Sequence, residues 1–299
     1  MKARVLVAVV GIPFLLLVLI WAPDWATMLL VAAMCAIGAH EFMHAVAGEK
    51  GKCLVPLAVV TAALVPVTVY LSRPCYPDLS MEKISSDVFG IISAMGREVD
   101  FPALLPELAM LLVFLLFVVV ILRYGKPEKE VPFSALTAAL FAGLAFPLML
   151  SCLLRLRLLY DGVAWVFVPL CISFGSDTFA LFAGMFFGKH KLAPHVSPKK
   201  TKEGAVGGLV GGVFGLLLFK WIGEAALGTH LINYPSLIFL GLYGSAISQI
   251  GDLSFSVIKR EFGVKDYGKL LPGHGGILDR FDSVTFVAPF VWLVLSFLR

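Results

Sequence analysis

Long apolar blocks alternate with short polar ones along this chain, and the blocks are of one size. Continuous apolar runs occur near residues 5–22, 25–46, 54–72, 104–122, 132–153, 163–187, 204–222, 234–258 and 284–298. Each is close to the roughly 20 helical residues needed to cross a bilayer's hydrocarbon core. Segments that cross lipid as helices satisfy their backbone hydrogen bonds internally, so nine such runs predict an all-α, polytopic integral membrane protein of about nine transmembrane helices. The first run follows Lys2 and Arg4 as a signal peptide would, but it is longer than an ordinary h-region and a second apolar run follows almost at once. It is therefore read as a retained helix.

Composition agrees with the pattern. Hydrophobic residues make up 59% of the 299 positions and only 15% are charged, against about 45–50% apolar in soluble domains. Lys and Arg gather in alternate connections: Lys2 and Arg4, Lys50 and Lys52, Arg123 to Lys129, Lys189 to Lys202 and Lys259 to Arg280. Because basic connections are retained on the cytoplasmic side, this places the N-terminus inside and the C-terminus outside. The protein is thereby expected in the cytoplasmic membrane with its two richest basic loops, 188–203 and 259–283, facing the cytoplasm. Two regions follow: an N-terminal set of about five spans over 1–160, with an outer loop at 73–103, and a C-terminal catalytic region over 161–299. The five cysteines show no metal-ligand spacing and are read as small hydrophobes.

Candidate chemistry concentrates where the charge does. Asp252 lies about two turns before Lys259 and Arg260 at the mouth of the eighth run, and Asp279 and Asp282 stand three residues apart at the entry to the ninth. If the last helix has begun there, these two share a face. Three such carboxylates, converging at the membrane surface, suit Mg²⁺, which takes one or two protein carboxylates and completes its shell with water and phosphate oxygens. Lys259, Arg260, Lys265, Lys269 and Arg280 surround them, with Pro272-Gly273-His274-Gly275-Gly276 between, a run whose backbone can approach an anion closely. In the other loop, Ser197, Lys199, Lys200, Thr201 and Glu203 cluster just before the seventh run, where a helix N-terminus would add to anion binding. Asp177, beside Ser176 within the sixth run, is expensive in lipid and marks a polar cavity. Acids for metal and bases for phosphate together suggest phosphoryl or nucleotidyl transfer. The alternative for the bases is simple attachment of the loops to anionic lipid.

A competing motif is His40-Glu41-Phe42-Met43-His44, which fits HExxH, two metal-binding histidines one helical turn apart with a glutamate base. It would make the protein a zinc intramembrane metalloprotease. Such an enzyme needs a third ligand and has no use for two phosphate-type loops. A transporter of anionic substrates, with Asp177 and the basic loops along its path, is the non-enzymatic reading.

The stretch S-x-x-K-R-x-x-x-x-K-D-x-G-x-x-x-P-G-H-G-G-x-x-D-R-x-D, from Ser256 to Asp282, resembles the signature of bacterial CDP-diacylglycerol synthases, or phosphatidate cytidylyltransferases. Gly251-Asp252-Leu253 and the run from Ser176-Asp177 through GKHKLAP to Glu203-Gly204 resemble that family as well. So does Glu41-Phe42, a glutamate and an aromatic late in the second span, which makes His40 and His44 accidental neighbours. Tyr267, Leu181 and Lys202 depart from the usual residues. The resemblance implies that CTP reacts with phosphatidic acid to give CDP-diacylglycerol and pyrophosphate, with one or more Mg²⁺ ions, in a homodimer within the bilayer and with no nucleic-acid partner. It casts Asp252, Asp279 and Asp282 as metal ligands, and Lys259, Arg260 and Arg280 with them as the catalytic set. Ser197, Lys199, Lys200, Thr201, Glu203, Lys265, Gly273, Gly275 and Gly276 form the substrate-binding set, which Asp177, Asp266 and His274 join without a particular contact assigned.

Overall fold

The computed structural model describes residues 2–71, 104–124, 130–159, 161–227, 233–270 and 275–297. The expected outer loop 73–103, Gly273 and His274 lie outside the described residues. Each of the nine apolar runs falls on helix: Lys2–Ile20, Asp24–Val46, Val55–Leu71, Leu104–Arg123, the series Phe133–Leu140 to Cys152–Arg157, Gly162–Phe187, Lys202–Leu227, Tyr234–Glu261 and Leu278–Phe297. Six helical stretches among the described residues are both long and apolar enough to cross a membrane. Tyr234–Glu261 is not among them, despite its 28 residues, because Ser and Gly recur along it and Gln249 and Asp252 interrupt it. The chain is an all-α integral membrane protein.

Two compact units divide the chain. Within the described residues, one takes 2–71, 104–155 and 259–281, and the other takes 156–258 and 282–297. In the first, Asp24–Val46 packs against Val55–Leu71. Ala58, Ala62, Val65 and Val69 recur at three- and four-residue spacing, and all four are fully buried, as one face of a packed helix requires. A single π-helical turn, Phe141–Ala145, packs against both of these helices.

The second unit is built on a glycine-rich helix. Lys202–Leu227 carries GAVGGLVGGVFG from Gly204 to Gly215, and its glycines form two stripes. Gly211 and Gly215 face Gly162–Phe187: a Cβ on Gly215 would stand 2.6 Å from the Cys171 carbonyl oxygen, and one on Gly175 would stand 2.6 Å from that of Gly211. Gly208 and Gly212 face Tyr234–Glu261, where a Cβ on Gly212 would meet Ser245 Cβ at 2.6 Å. Without a strong hydrophobic drive between helices in lipid, such close backbone approach supplies much of the packing.

The basic segment 188–203 differs from a plain loop. Lys191–Ala193 and Ser197–Thr201 pair as an antiparallel hairpin, Lys191 opposite Thr201 and Ala193 opposite Ser197. Short strands of this kind carry no apolar alternation, so periodicity gave no sign of them.

Adding a methyl group at Gly175 or Gly211 should overpack the seam at a cost of about 1–3 kcal/mol. Heating detergent-solubilised Gly175→Ala and Gly211→Ala should give lower unfolding midpoints than the parent. Gly11→Ala, whose Cβ would meet nothing within 4 Å, should leave the midpoint in place.

Candidate active site

The expected site residues fall into two groups, one in each unit. In the second unit a cavity of about 470 Å³ is lined by Asp177, Leu181, Met185, Lys199, Lys200, Thr201, Gln249 and Asp252, among others. Its polar lining comes chiefly from the hairpin and from Tyr234–Glu261. The Lys200 ammonium meets Asp252 Oδ2 at 2.5 Å, and the Ser256 hydroxyl donates to Asp252 Oδ1 at 3.3 Å. Both members of the ion pair keep about a quarter of their side-chain surface open. Gln249 reaches across from its helix, its Nε2 donating to the Ala205 carbonyl at 3.0 Å.

The hairpin is closed at its base by two residues that the sequence places among substrate ligands. Thr201 Oγ1 accepts the Gly204 N–H at 3.1 Å and so caps the Lys202–Leu227 helix. Glu203 accepts the backbone N–H groups of Lys189 and His190 at 3.1 and 3.2 Å, and its Oε1 lies 2.6 Å from His190 Nδ1. Ser197 is partly buried within the second strand, and Lys199 is exposed. Asp177, also exposed, stands on the wall formed by Gly162–Phe187.

In the first unit the segment after Lys259 folds back on the start of the last helix. That helix begins at Leu278, six residues before its apolar run, so Asp279 and Asp282 lie one turn apart on it as their spacing anticipates. Asp279 is buried, and three donors meet it: Lys259 Nζ at 3.0 Å from Oδ1, and the N–H groups of Tyr267 and Gly276 at 2.9 and 3.0 Å from Oδ2. Charge-assisted bonds of this kind are about twice as strong as neutral ones. The Lys259 ammonium also lies over the Tyr267 ring, 5.4 Å from its centre, and that ring stacks on Phe42 at 5.7 Å. Tyr267, singled out as a departure in sequence, thus packs in the heart of this group. Asp282, the first residue of that helix to belong to the second unit, accepts the Ser283 N–H at 2.7 Å. Arg260, Lys265, Asp266 and Arg280 are exposed, and Gly275 adopts φ +84°, a backbone angle that favours glycine.

Glu41 enters the sequence reading only as the base of the zinc-protease alternative and as part of the resemblance to the family, and not among the site residues. Its carboxylate is buried and accepts the N–H of Ile277 at 3.2 Å and of Leu278 at 3.0 Å. The one available signal was its pairing with Phe42 late in an apolar run. With both oxygens committed to backbone donors, it is not placed as a protease base. His40 and His44 are exposed, with ring centres 4.3 Å apart, and among the described residues no three His, Cys, Asp or Glu side chains gather as a ready-made metal cluster. The zinc-protease alternative has no support in this arrangement.

Comparison with known proteins agrees. The family model described as "Cytidylyltransferase family" matches residues 2–298. The chain is 37% identical over 191 residues to a phosphatidate cytidylyltransferase of Bacillus subtilis, covering 64% of this chain and 68% of that one. It is 29% identical over 302 residues to one of Thermotoga maritima, covering 100% and 97%. A third, from Haemophilus influenzae, is 37% identical over 182 residues, covering 58% and 62%. With a match running through every helix and through both groups of acids and lysines, the chain belongs to the cytidylyltransferase family.

Proposed function

We propose that this protein is a phosphatidate cytidylyltransferase, transferring CMP from CTP to phosphatidic acid and releasing pyrophosphate. The observation that carries the reading is the pair of lysine–aspartate contacts, Lys200 with Asp252 and Lys259 with Asp279, set in a membrane protein of this family. The more open pair, Lys200 with Asp252, can exchange partners. An ammonium that leaves its carboxylate for a phosphate oxygen frees that carboxylate for a cation, so neither charge is left without a counterpart.

The chemistry asks the protein for position and charge rather than for covalent participation. A phosphatidate oxygen attacks the α-phosphorus of CTP in line, and the bond to pyrophosphate breaks. Phosphatidate is already anionic near neutral pH, so no strong base is required. Lys199, Lys200, Lys259, Arg260, Lys265 and Arg280 bind and orient the phosphates. Ser197 and Thr201 contribute hydroxyls, and Gly275 contributes a backbone N–H group; that of Gly276 is held by Asp279. Asp252, Asp279 and Asp282 offer only carboxylate oxygens, the donors that a hard divalent cation takes, and in this reading they are the residues that would ligate Mg²⁺. Bound there, Mg²⁺ supplies charge neutralisation to the triphosphate and the departing pyrophosphate. Leu181, Met185 and Leu192 give the cavity an apolar wall beside its basic floor, which matches an amphiphilic substrate. The enzyme works as a homodimer in the cytoplasmic membrane with both basic segments toward the cytoplasm, the side favoured by the distribution of Lys and Arg.

Purified protein given labelled CTP, phosphatidate and Mg²⁺ should form CDP-diacylglycerol. Asp279→Asn and Asp252→Asn should each lower kcat by about 10²-fold or more, the scale of losing one electrostatic stabiliser. Absence of product from the parent sinks the reading, as does parental activity in both variants. Chelation with EDTA should abolish turnover and added Mg²⁺ should restore it; full turnover in the chelator would exclude the metal. Lys200→Ala should lower kcat/KM by about 10- to 100-fold, as expected for a charged hydrogen bond. Most of that change should appear in KM if Lys200 binds ground state and transition state alike.

A further inference from the structure

We infer that Glu41 is a positioning residue for the Lys259–Asp279 pair, acting through the backbone of the segment that carries them. The inference rests on the cytidylyltransferase reading of that pair. Glu41 stands on Asp24–Val46, more than two hundred residues from its hydrogen-bond partners, so no local fold requires it there. Two features of the segment are shaped to its carboxylate. Gly268 and Gly276 both lie so close to it that a Cβ on either would overlap Glu41. A carboxylate buried in an apolar bundle needs donors, and Ile277 and Leu278 supply two.

The same stretch of backbone serves Asp279. Tyr267, which donates to Asp279 Oδ2, adjoins Gly268, which abuts Glu41; Gly276, which also donates to Oδ2, adjoins Ile277, which donates to Glu41. The two carboxylates therefore clamp one pair of chain segments from opposite ends of adjacent peptides. Phe42, the next residue on the helix, stacks on Tyr267, whose ring carries the Lys259 ammonium. Displacing Glu41 shifts both the donors that fix the Asp279 rotamer and the aromatic surface under Lys259. Glu41 itself does not touch the substrates in this scheme.

The test compares the parent with Glu41→Gln, Glu41→Ala, Gly268→Ala and the double variant Glu41→Ala/Gly268→Ala, all as full-length protein in detergent micelles. Turnover is measured per folded molecule, with CTP and phosphatidate each varied. Misplacement of a reacting group by about 1 Å costs on the order of 10²-fold, so Glu41→Ala should lose about that much in kcat with little change in either KM. Gln keeps one acceptor oxygen and should lose less. Gly268→Ala reaches the same contact from the segment's side and should also lower kcat. In the double variant the overlap is relieved, so the second substitution should add nothing to the first. Trypsin should cut after Lys265 and Lys269, both exposed, several-fold faster in Glu41→Ala while the unfolding midpoint of the rest stays cooperative. If Glu41→Ala does not fold, Glu41→Gln and Gly268→Ala carry the comparison. Parental kcat per folded molecule in those two overturns the inference, as do effects of Glu41→Ala and Gly268→Ala that simply multiply. A parent without CDP-diacylglycerol synthesis would instead refute the proposed function.

Discussion

A carboxylate surrounded by apolar helices is tolerated only while donors face it, and that requirement organises the first unit. Glu41 and Asp279 are both buried, and between them they take five donors: four backbone N–H groups and one ammonium. The backbone that supplies the four cannot be elsewhere without leaving a charge unpaired in a low-dielectric setting. The fold of the segment after Lys259 is thus fixed by its acids as much as by its glycines. In the second unit the same demand is met differently. Asp252 is only partly buried, and its partners, Lys200 and the Ser256 hydroxyl, are side chains that can rotate away.

That contrast assigns different characters to two aspartates that look alike in sequence. Asp279 sits in a rigid cradle, whereas Asp252 borders an open cavity. The lysines differ correspondingly. Lys259 is nearly enclosed and lies over an aromatic ring, while Lys200 retains about a quarter of its side-chain surface.

Helices were legible in the sequence because lipid imposes a length and a polarity that a single pass along the chain can detect. Every apolar run coincides with a helix, and the spacing of Asp279 and Asp282 anticipated their common helix. The last helix nevertheless begins at Leu278 rather than at 284: its first turn is polar, with Asp279, and Glu41 accepts the N–H groups of Ile277 and Leu278 at its start. The hairpin at 191–201 was hidden because its pairing is made by backbone and by Glu203. The role of Glu41 was hidden for a deeper reason: its partners are 236 and 237 residues away, and no periodic signal spans such a distance. The motif around it pointed instead to zinc, through histidines that lie exposed on the helix.

The hairpin also bears on how tightly a substrate can be held. Its strands are paired, its turn is closed by the Val196 N–H to the Ala193 carbonyl, and its base is tied by Thr201 and Glu203. Lys199 and Lys200 are therefore displayed on a frame whose conformational entropy was lost when the protein folded. In the proposed reaction, binding a nucleotide or a lipid phosphate there would not require a loose segment to be ordered, so more of the contact energy would be expressed as affinity. In that reaction, loosening the hairpin's base at Glu203 would weaken binding at Lys199 and Lys200 without altering either lysine.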